Sequence, residues 1–432
     1  MTTELALFIQ DATVVDTHEH MAYEPQWVEQ GPGDVLQDLF TNYVGADLIS
    51  AGAVPADVQR LVDGIDPDVE GRWSAVADAW RSIRHTGYGQ AVQMIASEVY
   101  GIDEIGPDAL RAAQPKLEAL RRPGGRLHLL RDVARLDHIQ TDDKQITCPP
   151  DESGPDFFLY DISWVGFVWR GVDWAEIAAD TGVTVKGLTT LEQAMEAIFE
   201  KHGPRAIAVK TQHAYNRTLR WEPRTDADAA RAFDRVLAGG DVDEAARLCF
   251  GDWALARAAE LARRYDLPVK IHTGYYAGNR TMQTDRIRAG DLCPLLIAYP
   301  DTRFVLMHIA WPYSEEVVAL AKHFPNAWAD LCWAWSINPA ASVRFVRSFI
   351  HAAPASKLFA FGGDVRSPTS AYAYSMQMRR YLTKALEAEV EEGEMTEPEA
   401  IAFARQVLFE NQMSCFDVAG TRAANVEATA GV

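Results

Sequence analysis

An alternation constrains this chain most. Eight short runs rich in apolar and β-branched residues recur along it: ATVVDTH (12–18), LDHIQT (136–141), DFFLYDI (156–162), AIAVK (206–210), PVKIH (268–272), RFVLMH (303–308), AWADL (327–331) and KLFAFGGD (357–364). Helical patterns lie between several of them: LEQAMEAIFEKH before the fourth run, DADAARAFDRVLAG and DWALARAAELARRY before the fifth, SEEVVALAKHF before the seventh. Strand followed by helix, repeated, is the sequence form of βα units and a parallel sheet. Eight strands predict one α/β domain over residues 1–432, a single (β/α)8 TIM barrel. Residues 21–130, including VEGRWSAVADAWRSI and PDALRAAQPKLEALRR, are mostly helical in pattern and separate the first two strands. They read as a helical insertion, either a lid or wall over the barrel mouth or a dimerisation arm. AYSMQMRRYLTKALEAEVEEG and EPEAIAFARQVLFENQMSCF read as closing helices.

In a parallel barrel every strand ends on the same face, where active sites are built. Here those ends carry His18 and His20 on the first strand, Lys210 on the fourth, His272 on the fifth, His308 on the sixth and Asp364 on the eighth. Side chains two apart on a strand point the same way, so His18 and His20 share a side and Glu19 points away. Each polar residue alone has an ordinary explanation as a satisfied strand histidine, a turn aspartate or a solvated lysine. Together, imidazoles and a carboxylate are the donors a catalytic Zn²⁺ or similar ion takes, with a position left for water.

These residues resemble the amidohydrolase superfamily: H-x-H on strand one, histidines ending strands five and six, aspartate ending strand eight. AIAVKTQHAYNRTLRW, VKIHTGYYAGNR, FVLMHIAWPY and KLFAFGGD look like its amidohydrolase-2 branch, which includes uronate isomerases, metal-dependent decarboxylases and the amidohydrolase domains associated with nodulin and glutamine synthetase. The resemblance implies that His18, His20, His272 and Asp364 bind one divalent metal, Zn or else Mn. It gives Asp364 the proton of the attacking water, and gives His308 either the polarising of the substrate or a second metal. Lys210 stands where binuclear members carry a carboxylated, bridging lysine, so two ions are expected only if it is modified. Unmodified, its charge opposes a nearby metal and suits a substrate carboxylate or a developing oxyanion. The expected activity is hydrolysis of an amide, lactone or related C–N or C–O bond. Decarboxylation or uronate-type isomerisation on the same scaffold is the alternative.

Tyr215, Arg217, Arg280, Trp311 and Arg366 lie near the same strand ends and are candidates for binding substrate. Arginine can hold a carboxylate through two parallel hydrogen bonds, which points to an acidic small molecule. A formal net charge of −20 argues against nucleic acid, whose phosphates call for clustered Lys and Arg. Neither G-x-x-x-x-G-K-[ST] nor a strand-to-helix G-x-G-x-x-G occurs, so nucleotide chemistry is not expected. The five scattered cysteines form no C-x-x-C, and no apolar run is long enough for a bilayer. These features predict a cytoplasmic protein without disulfides or membrane contact. The partners expected are a small-molecule substrate and copies of the chain itself in a homo-oligomer.

Overall fold

The computed structural model describes residues 3–239 and 242–430. All eight expected strands form: β1 (Val14–Glu19), β2 (Leu136–Thr141), β3 (Phe158–Ser163), β4 (Ala208–Thr211), β5 (Val269–His272), β6 (Phe304–Met307), β7 (Ala327–Asp330) and β8 (Leu358–Phe359). They pair in parallel, in sequence order, as one eight-stranded sheet. Every residue of β1 and of β3 is buried, as expected of a sheet lined by side chains inside and covered by helices outside.

β8 is shorter than its sequence pattern: regular pairing ends at Phe359, and the Ala360 N–H turns to the Val407 carbonyl at 2.9 Å. The barrel still closes. The Thr17 N–H bonds to the Phe361 carbonyl at 3.0 Å, the Asp364 N–H to that of His18 at 2.9 Å, and the His20 N–H to that of Val365 at 2.9 Å. Three backbone bonds therefore tie the H-x-H segment to the segment carrying Asp364.

The helices start where the sequence supplies caps. Thr225 accepts the Asp228 N–H ahead of Asp226–Ala238, and Asp243 accepts the Ala246 N–H ahead of Glu244–Arg264. The interior below the rim is polar as well as packed. Lys270 Nζ, fully buried, lies 2.9 Å from Asp161 Oδ1 and 2.8 Å from the Thr17 carbonyl. A buried ion pair of this kind persists only with its remaining donors satisfied, and the Thr17 carbonyl supplies that.

The insertion between β1 and β2 is helical, running from Glu24–Gln30 to the turns that end at Val133. It is fixed to the barrel mouth. Buried Asp38 accepts hydrogen bonds from Ser367 Oγ at 3.0 Å and Thr369 Oγ1 at 2.7 Å, just beyond β8, and from Tyr100 within the insertion. Tyr43 donates its hydroxyl to the Asp364 carbonyl at 2.5 Å. In this structure the insertion walls the site. No helix among the described residues is long and apolar enough to cross a membrane, and all five cysteines are free.

Candidate metal centre

The strand ends bring five of the expected residues together. His18, His20 and Asp364 offer ligand atoms within 4.8 Å of one another, and so do His272, His308 and Asp364. The expected quartet is thus divided, with His272 on the side of His308 and Asp364 shared between two triads. Asp364 Oδ1 stands 3.3 Å from both His18 Nε2 and His20 Nε2, while Oδ2 stands 3.8 Å from His308 Nε2.

The opposite ring nitrogens fix tautomers. His20 Nδ1 bonds to the Asp142 carbonyl at 2.5 Å, His308 Nδ1 to the Cys332 carbonyl at 2.9 Å, and His272 Nε2 to the Tyr275 carbonyl at 3.1 Å. A carbonyl can only accept, so the proton sits on those nitrogens and the other nitrogen of each ring keeps its lone pair. His18 turns Nδ1 toward Asp161, 3.8 Å away.

Burial pushes the His18, His272 and His308 imidazoles down, His308 to about 3, so these rings are neutral near pH 7. Burial alone would raise the Asp364 carboxyl, but its contacts with His18 and His20 hold it well below the usual carboxylate range. That lowering calls for positive charge between ring and carboxylate, and where a ring nitrogen keeps its lone pair a cation among the donors would supply it. His308 Nε2 is buried without a hydrogen-bond partner, as such a ligand nitrogen would be. The donor set, imidazole nitrogen and carboxylate oxygen, fits a divalent ion.

Lys210 joins the cluster from β4. Its Nζ lies 3.1 Å from His18 Nε2, it is 1% exposed, and it forms no ion pair among the described residues. Asp364 itself has φ 58°, a left-handed conformation uncommon for aspartate, consistent with a backbone held to aim one side chain.

Of the expected substrate residues, Tyr215 packs its ring 4.7 Å from His272, and its hydroxyl accepts the Ala277 N–H at 3.2 Å. Trp311 stands on the rim against Tyr275, with 5.4 Å between ring centroids. Arg366 is exposed and lines a pocket of ≈ 250 Å³ together with His20. Arg280 is exposed with φ 70°. Arg217 is not brought to the rim cluster. It is buried, with donors committed to Asp252 Oδ1 at 2.5 Å and to the Thr218 and Arg220 carbonyls. The acid that claims it lies 35 residues away on the helix Glu244–Arg264, a pairing no local motif announces.

Sequence reasoning missed four residues here. Lys144, exposed beyond β2, lines the His20 pocket with Arg366. Partial desolvation lowers its pKa, and the charges of Arg366 and Arg170 lower it further. Arg170, beyond β3, and Lys144 could have been flagged as cations just past strand ends. Tyr43 and Trp333 could not. Their rings stand 4.5 Å apart, and Trp333 lies 5.5 Å from His308, forming an aromatic wall that only the folded insertion completes.

Fold and site together define a metal-binding TIM-barrel enzyme. The chain belongs to the amidohydrolase family, whose model matches residues 178–396. A stretch of 226 residues, 50% of this chain, is 24% identical to Protein fluG of Emericella nidulans and covers 26% of that protein. The chain thus spans only about a quarter of that relative's length. Among solved structures, uronate isomerase of Thermotoga maritima aligns over 95% of this chain and 96% of its own, with TM-score 0.77 and 15% identity. Glucuronate isomerase of Caulobacter crescentus aligns over 95% and 92%, with TM-score 0.78 and 17% identity. At such identities the likeness concerns the fold.

Proposed function

We propose that this enzyme rearranges a small carboxylic acid by metal-assisted proton transfer, as a uronate-type isomerase does. The observation that carries the reading is the cationic rim. In a chain of net charge −20, Lys144, Arg170 and Arg366 form no ion pair among the described residues, and Lys144 and Arg366 share the pocket that contains His20. Unpaired cations beside a metal centre suit a substrate carboxylate. Alignment with two uronate isomerases over nearly their whole length supports the same reading.

A bound divalent ion would be held by His18, His20 and Asp364, or by His272, His308 and Asp364, and would polarise a substrate carbonyl. The chain's own groups supply the rest. Lys144 and Arg366 anchor the carboxylate, and Lys210 presents positive charge toward oxygen that gains electron density. With the ion held by His18, His20 and Asp364, His308 Nε2 would keep a lone pair free to accept a proton and return it. Trp333 and Tyr43 exclude water from one side.

Hydrolysis of an amide or lactone is the second reading, favoured by the two triads that meet at Asp364 beside Lys210. Product mass separates the possibilities. Unchanged mass from a sugar acid or related hydroxy-carbonyl acid supports isomerisation, addition of water supports hydrolysis, and loss of carbon dioxide supports a lyase. Turnover that survives complete metal removal overturns both readings.

A further inference from the structure

Beside the centre lies a second pocket that the chemistry above does not use. It measures ≈ 350 Å³ and is lined mostly by apolar residues, Phe40, Ile49, Val58, Val62 and Val365 among them, with Thr41, Asn42, Gln59 and Arg366 as its polar members. An apolar cavity of about 150 Å³ already holds benzene. Here there is room for a larger alkyl or aryl group.

Three observations join this pocket to the candidate centre. Val365 follows Asp364 directly, and its N–H is held by Glu19 Oε2 at 2.6 Å, so one wall is a single residue from the shared carboxylate. Arg366 lines both this pocket and the ≈ 250 Å³ pocket of His20 and Lys144, so the two share one residue. The insertion that forms the remaining wall is pinned at several points. Tyr43 bonds to the Asp364 carbonyl, Asp38 to Ser367 and Thr369, and Asn279 Nδ2 donates to the Ala46 carbonyl at 3.1 Å. A pocket bounded by elements fixed in this way is built into the fold.

We propose that this pocket is a substrate subsite that takes an apolar arm, alkyl or aryl, of an acid whose carboxylate is held at Arg366. The inference rests on the reading that the enzyme acts on a carboxylic acid, and it narrows the class to amphipathic carboxylates. A free sugar acid would bring hydroxyl groups against Phe40, Ile49, Val58 and Val62, side chains that offer no hydrogen bonds, and only Thr41, Asn42 and Gln59 elsewhere on the lining could offset that cost. An apolar arm gains instead, by about fourfold for each methylene fully buried.

The test is calorimetric titration of the Zn-loaded protein with acetate, hexanoate, 3-phenylpropionate and glucuronate. Val62→Gln and Ile49→Asn, polar but uncharged so that Arg366 keeps its charge, are used beside the parent, because both positions are only half-buried. Circular dichroism and zinc content confirm that each variant is folded and loaded. Hexanoate and 3-phenylpropionate are expected to bind the parent at least tenfold tighter than acetate or glucuronate. Both variants should erase that preference and leave acetate unchanged. Affinity independent of chain length, or a preference that survives both substitutions, overturns the subsite. A parent that binds no carboxylate overturns the acid reading itself. A variant that converts an oligomer to monomer without altering carboxylate binding assigns the pocket to contact between copies and also overturns the proposal.

Discussion

Lys210 Nζ lies 3.1 Å from His18 Nε2, and the same nitrogen stands 3.3 Å from Asp364 Oδ1. An ammonium donating to His18 Nε2 occupies the lone pair that a metal would take, so lysine and cation compete for one atom. The conflict ends if the lysine swings toward substrate, or if carboxylation turns it from a donor into a ligand.

The first prediction follows from the lysine's unmodified form. The purified chain should hold one equivalent of metal by elemental analysis, and Lys210→Met should still hold one while losing about 100-fold or more in kcat/KM. That loss is the scale of removing a charge that stabilises a developing oxyanion. Two equivalents in the parent falling to one in the variant would instead establish Lys210 as a bridge.

Glu19 gives a second prediction. Its Oε2 accepts the Val365 N–H at 2.6 Å, and a Cβ on Gly363 would fall 2.0 Å from Oε1, so the carboxyl group packs directly against the turn that presents Asp364. Glu19→Ala leaves a buried N–H without an acceptor, costing roughly 1–3 kcal/mol. It also frees the Asp364 backbone, for which a 10- to 100-fold loss of metal affinity is the usual scale. Glu19→Gln keeps an acceptor and should restore most of that affinity. Chelator competition on all three proteins reads the difference, and equal affinities would rule the role out.

Why Glu19 escaped sequence reasoning is instructive. Alternation places it opposite His18 and His20, and on a free strand that face would meet solvent. Here the chain beyond β8 folds over it, and Glu19 is fully buried. The eight strands and the polar residues at their ends were legible because each depends on a local pattern: an apolar run, then a ligand-type side chain. What was not legible depends on distant packing. The Tyr43 bond to Asp364 joins residues 321 apart, and the Asp38 bond to Thr369 joins residues 331 apart. Arg217 looked like a rim arginine for the same reason, since nothing in its own segment shows Asp252 waiting on a neighbouring helix. That His272 sits with His308 while Asp364 is shared by two triads is likewise a matter of barrel geometry, which sequence order does not carry.

The cationic rim yields the third prediction. Arg366→Ala and Lys144→Ala should each raise KM for an acidic substrate by about tenfold or more, the scale of one charge-assisted hydrogen bond. Because the carboxylate is held alike in ground and transition states, kcat should change little. Rising salt should weaken substrate binding to the parent more than to either variant. Steady-state kinetics at two ionic strengths tests both statements, and an unchanged KM in both variants would move the carboxylate site elsewhere.

The last prediction concerns stability and the barrel interior below the metal ligands. Thr17 Oγ1 lies 2.7 Å from Asp330 Oδ2 and 2.8 Å from the Phe361 carbonyl, yet a hydroxyl has one proton to give. The Phe361 carbonyl also accepts the Thr17 N–H at 3.0 Å, and a protonated Asp330 would make both hydroxyl contacts hydrogen bonds, donating to Thr17 Oγ1 while Thr17 donates to the carbonyl. Burial pushes the Asp330 carboxyl up to about 7, in agreement with that bonding. Its ordinary value is near 3.8, so the unfolded chain releases this proton while the folded chain keeps it. Over the window from about pH 4 to 7 the folded state binds more protons, and stability therefore falls as pH rises, by roughly 4 kcal/mol if the whole shift is realised. Asp330→Asn keeps the size and a donor toward Thr17 and has no proton to lose. Urea unfolding of parent and variant at pH 5 and pH 7.5 should show the variant gaining on the parent by a few kcal/mol at the higher pH. A difference that stays constant with pH would mean that Asp330 is ionised in the folded protein.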